Sequence, residues 1–143
     1  MSGEAACIPP LEVGRRLLSR SPVLIWLGAE IVGLEPGYAH LAMTIGDQHT
    51  NFIGVGHGGV VFTLADAALG FASSCRNDRV VTADAEIRYL MPAKAGERLE
   101  AVAREVWRRP PNALTDVEVR QGGHVLALMR GRVRSLGEPH FTE

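Results

Sequence analysis

The apolar pattern changes period several times along the chain, and each change predicts an element. Residues 1 to 10 show no periodicity and end at Pro9-Pro10. Over 11 to 20, Leu11, Leu17 and Leu18 recur at helical spacing against a basic face, which predicts a short helix that Gly14 weakens. "AEIVGLEPGYAHLAMTI" (29 to 45) predicts a hairpin. Pro36-Gly37 suits the centre of a type II turn, and Leu41, Met43 and Ile45 then alternate with His40, Ala42 and Thr44. A polar loop, "GDQHTNFIGVG", leads to "HGG" and about seventeen residues of helix that "RNDR" (76 to 79) closes. Four stretches with strand character follow: "VVTADAEIRYLM", "ERLEAVAREVWRR", "ALTDVEVRQ" and "HVLALMRGRVRS". "PAKAG" and Gly122-Gly123 mark two of the turns between them.

This order is not a βαβ alternation, so a parallel doubly wound sheet is excluded as the economical solution. The expectation is an α+β fold, with one curved antiparallel sheet, a meander in its second half, wrapped around one central helix. The helix is apolar or small nearly all round, so a single sheet leaves part of it to be covered. A second copy of the chain is the natural cover, and a dimer at least is expected.

Composition narrows the class without changing the fold. The 143 residues argue for one domain, with 1 to 20 as an N-terminal extension carrying the short helix. A net charge of −1 and no long basic run remove the footprint of a nucleic-acid binder. Cys7 and Cys75 form no disulfide framework and match no zinc spacing. "SPVLIWLG" (21 to 28) is too short to span a bilayer, and it follows Arg15, Arg16 and Arg20 without a cleavage signature. A cytoplasmic protein with no membrane partner is therefore expected.

The chemistry concentrates around the helix. Asp66 sits among Leu64, Ala65, Ala67, Ala68 and Leu69, a setting that argues for burial on every side. Buried acids cluster at functional sites because their ionisation is tuned by their surroundings. Gly54, Gly56 and Gly59 match G-x-G-x-x-G, but a polar loop precedes them and strands follow, so a dinucleotide site is not supported. A helix N-terminus is still an anion site, since its first amides lack partners and the macrodipole adds positive charge. Gly58 and Gly59 either let a ligand approach those amides or only permit a tight entry turn. His57 either orders the loop or meets a ligand. His40, His49, His57, His124 and His140 contain no close pair, so no metal is expected. Neither G-x-S-x-G nor a cysteine with an adjacent histidine supports a Ser or Cys nucleophile.

Spacing adds a constraint. Asp66 lies eight residues after Gly58, about 12 Å along a helix axis. One carbonyl cannot touch both groups on the same helix. Two antiparallel helices across a two-fold axis would bring Asp66 of one chain to Gly58 of the other. A joint role therefore predicts an isologous dimer with two composite sites.

"NFIGVGHGGVVFTLADAALGFA", with "LGAEIVGLEPGYAHLAMTI" before it and "AEIRYLMPAKAGERLEA" after it, resembles the hotdog-fold acyl-CoA thioesterases. The similarity is to the phenylacetate-degradation (PaaI-like) branch of the 4-hydroxybenzoyl-CoA thioesterase superfamily, from about residue 20 to 135. The resemblance implies a hotdog fold, dimers and commonly dimers of dimers. It implies hydrolysis of an aromatic or medium-chain acyl-CoA, with CoA as part of the substrate and no cofactor. It makes Asp66 the general base or nucleophile and the Gly58 amide the donor to the thioester carbonyl. Asn51 and Thr82 would orient thioester or water, and His57 would support them. Asn51, His57 and Gly58 would come from one subunit, Asp66 and Thr82 from the other. Gly59 and Phe62 are candidate substrate contacts, and Phe52 and Trp26 further walls of an acyl pocket. The turn "WRRPPNAL" departs from the family's Gly-containing turn, and Arg108 and Arg109 there either meet CoA phosphates or form a solvated surface pair. The competing expectations are a hotdog hydratase or dehydratase using His57 with Asp66, and a non-catalytic acyl-CoA binder.

Overall fold

The structure, a computed structural model, describes residues 7 to 143. The expectations for residues 1 to 6 lie outside the described residues. Helix α1 (Pro10–Ser19) starts with Pro at its first position, where a missing N–H costs nothing. A second short helix, α2 (Pro22–Leu27), follows and ends at Gly28 in the left-handed conformation, φ 67°. The sequence pattern assigns no element to this apolar stretch. Strands β1 (Glu30–Glu35) and β2 (Tyr38–Thr44) form the expected hairpin, with Gly37 at φ 80° as a type II turn demands. A single 3₁₀ turn over Asp47–His49 then begins the polar loop.

Helix α3 (Gly58–Ser74) is the central element. It is followed by β3 (Val80–Tyr89), β4 (Arg98–Arg109), β5 (Asn112–Gln121) and β6 (His124–Ser135). All six strands make one antiparallel sheet in the order β1-β2-β4-β5-β6-β3. The expected meander holds only for β4 to β6. β3 pairs with β6 rather than with its successor β4. The connection at residues 90 to 97 therefore crosses the end of the sheet and passes the start of α3. There the Gly56 amide donates to the Ala93 carbonyl at 2.7 Å, and the Gln121 side chain holds both backbone groups of Lys94.

The inner face of the sheet packs on α3. Leu41, Met43, Leu99, Ala101, Val117, Val119 and Ala127 are buried there against Leu64, Ala65, Ala68 and Leu69. Burying a leucine of this kind stabilises the fold by about 1.5–3 kcal/mol. Gly131 lets helix and sheet approach closely: a Cβ there would stand 2.5 Å from Leu69 Cδ1 and 3.0 Å from the Asp84 carbonyl.

Among the described residues, the opposite face of α3 is not covered. Phe62, Thr63, Asp66, Ala67 and Gly70 are only half-buried, and Gly59 is exposed. These positions fall at the i, i+3, i+4, i+7 spacing of a single helix face. Asp66 is thus half-exposed in the single chain, not enclosed on every side, because the sheet wraps only one side of the helix. The edge strand β3 lies next to this face and has no partner on its outer side among the described residues.

Candidate active site

The loop at residues 46 to 57 is built from its own side chains. His49 is 2 % exposed, and its Nδ1 accepts the Gly46 amide at 3.0 Å. The Asn51 carboxamide oxygen accepts the amides of Ile53 and Val55, at 3.0 and 3.3 Å. This is the turn-forming habit of asparagine. It leaves the Asn51 amino group without a protein partner among the described residues and turned to no other structural task.

The His57 amide donates to the His49 carbonyl at 2.8 Å, which fastens this loop to the helix start. His57 is the N-cap of α3, and its Nδ1 accepts the Gly59 amide at 2.8 Å. A ring nitrogen that accepts is unprotonated, so the neutral ring carries its proton on Nε2. The Val60 and Val61 amides both donate to the His57 carbonyl. Gly58 is left as the one residue of the first turn whose amide has no partner among the described residues. Of the two glycine amides considered in the sequence, that of Gly59 is spent on the cap and that of Gly58 is free. It sits at the positive end of a 17-residue helix.

Gly58 is held from below by Tyr89, whose hydroxyl donates to the Gly58 carbonyl at 2.8 Å. The two residues border an apolar cavity of about 290 Å³, with Val61, Leu90, Met91 and Pro92 as further walls. The sequence pattern marks "PAKAG" as a turn and gives no indication of this wall as part of a site, beyond Leu90, Met91 and Pro92 being apolar past the end of the strand.

Asp66 lies two turns further along α3. One carboxylate oxygen accepts the Thr82 hydroxyl at 2.8 Å, and the other has no partner among the described residues. Thr82 reaches the helix side through an irregularity in β3. Strict alternation would put Thr82 on the same face as Asp84, which points outward and pairs with Arg132 at 2.9 Å. The register shift between Thr82 and Asp84 inserts Ala83 and sets Thr82 opposite the buried Val133. A bulge of this kind re-aims a side chain.

The remaining expected residues are more scattered. Phe62 lies on the open face of α3, one turn before Asp66. Trp26 meets His49 edge to face at 4.7 Å between ring centroids. Phe52 is fully exposed. Arg108 and Arg109 are exposed. Arg108 borders a cavity of about 190 Å³ with Ser73, Arg76 and Pro111 at the other end of α3. Burial pushes the Cys75 thiol up to about 11, which makes it inert as a nucleophile at neutral pH. Among the described residues, no helix is long and apolar enough to cross a membrane.

A free amide at a helix N-terminus can stabilise negative charge developing on a carbonyl oxygen. A carboxylate with one oxygen anchored and one open can act as base or nucleophile. Comparison with known proteins identifies the family. The model of the Thioesterase superfamily matches residues 53–128. The acyl-coenzyme A thioesterase PaaI of Escherichia coli K12 is 32% identical over 112 residues, covering 78% of this chain and 80% of that protein. The solved structure of E. coli PaaI superposes with a TM-score of 0.88 at 26% identity, over 91% of this chain and 95% of that one. A Streptococcus mutans UA159 protein solved with acetyl CoA bound matches with a TM-score of 0.74 at 27% identity, over 78% and 90%.

Proposed function

The chain belongs to the thioesterase superfamily and is a PaaI-like hotdog thioester hydrolase; we propose that it hydrolyses acyl-CoA at a site shared between two subunits. The observation that carries this reading is the pair of open groups on one helix: the free Gly58 amide and the half-exposed Asp66 held by Thr82. They are about 12 Å apart along the axis by the helical rise, so one thioester meets both only if two helices contribute. The open face of α3 and the unpaired edge of β3 adjoin one another, and both support a partner of the same kind.

In the proposed reaction the thioester oxygen accepts the Gly58 N–H of one subunit. Asp66 of the other subunit delivers the attack through its open oxygen, by taking a proton from water or by adding to the carbonyl carbon itself. The carbon–sulfur bond breaks, CoA leaves as the thiol, and water supplies the oxygen of the carboxylate product. The Asn51 amino group and the Thr82 hydroxyl orient water and thioester by position. The neutral His57, with Nδ1 occupied by Gly59, orders the first turn. That engagement favours hydrolysis over a hydratase, which would need this ring as its base.

Arg108 and Arg109 are proposed contacts for the CoA phosphates. With Asp66 opposite the partner's Gly58, Ser73 lies seven residues further, about 10 Å along the axis. The cavity at Ser73 and Arg108 then falls beyond the carbonyl site, where the nucleotide end of CoA would extend. Phe62 and the walls beside Gly58 are proposed to border the acyl and pantetheine path, with Gly59 leaving space for them. A tetramer of two such dimers, which rests on the resemblance, and a cytoplasmic location belong to the same proposal.

The test is thiol release across aromatic, medium-chain and long-chain acyl-CoAs. One free thiol and one carboxylate should appear for each thioester consumed. Consumption of an enoyl-CoA without thiol, or binding without turnover across the whole panel, would overturn the reading.

A further inference from the structure

The first turn of α3 is an unusual place for a fixed donor. Gly58 and Gly59 have the widest conformational freedom of any residues, and helix ends fray. An oxyanion donor must nevertheless be held in place before the reaction. Two side chains restrain this turn. His57 takes the Gly59 amide, and Tyr89 donates its hydroxyl to the Gly58 carbonyl at 2.8 Å. The tyrosine ring also lies under Gly58, 3.4 Å from where a Cβ would stand.

We propose that Tyr89 is a positioning residue of the carbonyl site: its hydroxyl, by holding the Gly58 carbonyl, keeps the Gly58 amide aimed at the thioester oxygen. The inference rests on the reading of that amide as the carbonyl donor. Burial raises the Tyr89 pKa above its ordinary value, so the hydroxyl remains a donor through the neutral range. The same strand carries both supports of the chemistry. Thr82 near the start of β3 holds Asp66, and Tyr89 at its end holds Gly58. The inserted Ala83 is what allows both to face the helix, because seven residues of strict alternation would turn them to opposite faces.

Tyr89→Phe keeps the ring beneath Gly58 and removes only the hydroxyl. Thiol release by this variant should show kcat lowered about tenfold, well short of the loss on deleting an oxyanion donor, with KM within about twofold of wild type. In a His57→Ala background, where the turn is already loosened, the same change should cost less than about twofold. Amide exchange at Gly59 should quicken in Tyr89→Phe whether or not turnover is measured. A raised KM with kcat intact would make Tyr89 a substrate contact and overturn the proposal. So would an unchanged kcat, full multiplicativity with His57→Ala, or unchanged exchange. A wild-type protein that releases no thiol would instead sink the functional reading, and the exchange result would stand by itself.

Discussion

Replacing Thr82 by valine tests how the carboxylate is held. The change is nearly isosteric and removes one hydrogen bond, the 2.8 Å contact from the hydroxyl to Asp66. Hydrogen bonds to charged groups contribute about 1.5–3 kcal/mol. Asp66 is half-exposed, so water replaces part of the lost contact, and the low end of that range applies. About 1.4 kcal/mol corresponds to a tenfold fall in rate. Thr82→Val should therefore lower kcat about tenfold, with KM little changed. Asp66→Asn, which removes the proposed base or nucleophile, should cost about 10²–10⁴-fold. The decisive comparison is the double variant. If Thr82 acts through Asp66, adding Thr82→Val to Asp66→Asn should cost less than about twofold further. Steady-state thiol release on one acyl-CoA reads all four proteins. A tenfold loss in both backgrounds would show that Thr82 acts independently of the carboxylate, and no loss in either would show that the contact is idle.

Two predictions concern the scaffold. Gly131→Ala would drive a methyl group toward Leu69 Cδ1 and the Asp84 carbonyl, and should destabilise the protein by about 1–3 kcal/mol in urea unfolding. An unchanged midpoint would show that α3 stands further from β6 than the structure places it. Thr115 is fully buried and its hydroxyl has no partner among the described residues, so Thr115→Val should stabilise the protein by about 1–2 kcal/mol. A loss of stability would mean that the hydroxyl is satisfied.

Much of this arrangement was legible because local and global signals agree. Pro36-Gly37 and Gly122-Gly123 specify turns, and β5 alternates without a break from Asn112 to Gln121. The seventeen residues of α3 need no tertiary information to read as helix. The pairing of β3 was not legible, since the alternation of Val80–Tyr89 fits any neighbouring strand equally well. The opposite-charge pairs of Asp84 with Arg132 and Glu86 with Arg130 mark β6 as the partner, and they gain meaning once the register is known. The inserted Ala83 leaves no trace in composition, yet it decides which way Thr82 faces. Asp66 stands out in the sequence because its neighbours suggest enclosure, whereas the structure leaves it half-exposed. Neighbours at i±1 lie round the helix, whereas cover comes from the elements packed against each face. Tyr89 was missed because a tyrosine at a strand end is ordinary until its hydroxyl is seen on the Gly58 carbonyl.

The central claim, a site shared between subunits, is tested most directly by mixing two inactive chains. Asp66→Asn removes the attacking group and leaves Gly58 intact. Gly58→Pro removes the amide donor and sets a ring carbon in its place, at the first helical position, where proline is accommodated, and after His57, whose ψ of 134° suits a residue preceding proline. After exchange at equal concentrations, random pairing makes about half of the dimers mixed, each with one complete site of two. Thiol release should return to about a quarter of the wild-type rate. Mixed dimers demonstrated by native mass spectrometry, with no recovery of thiol release, would place both groups in one subunit's site and contradict the account.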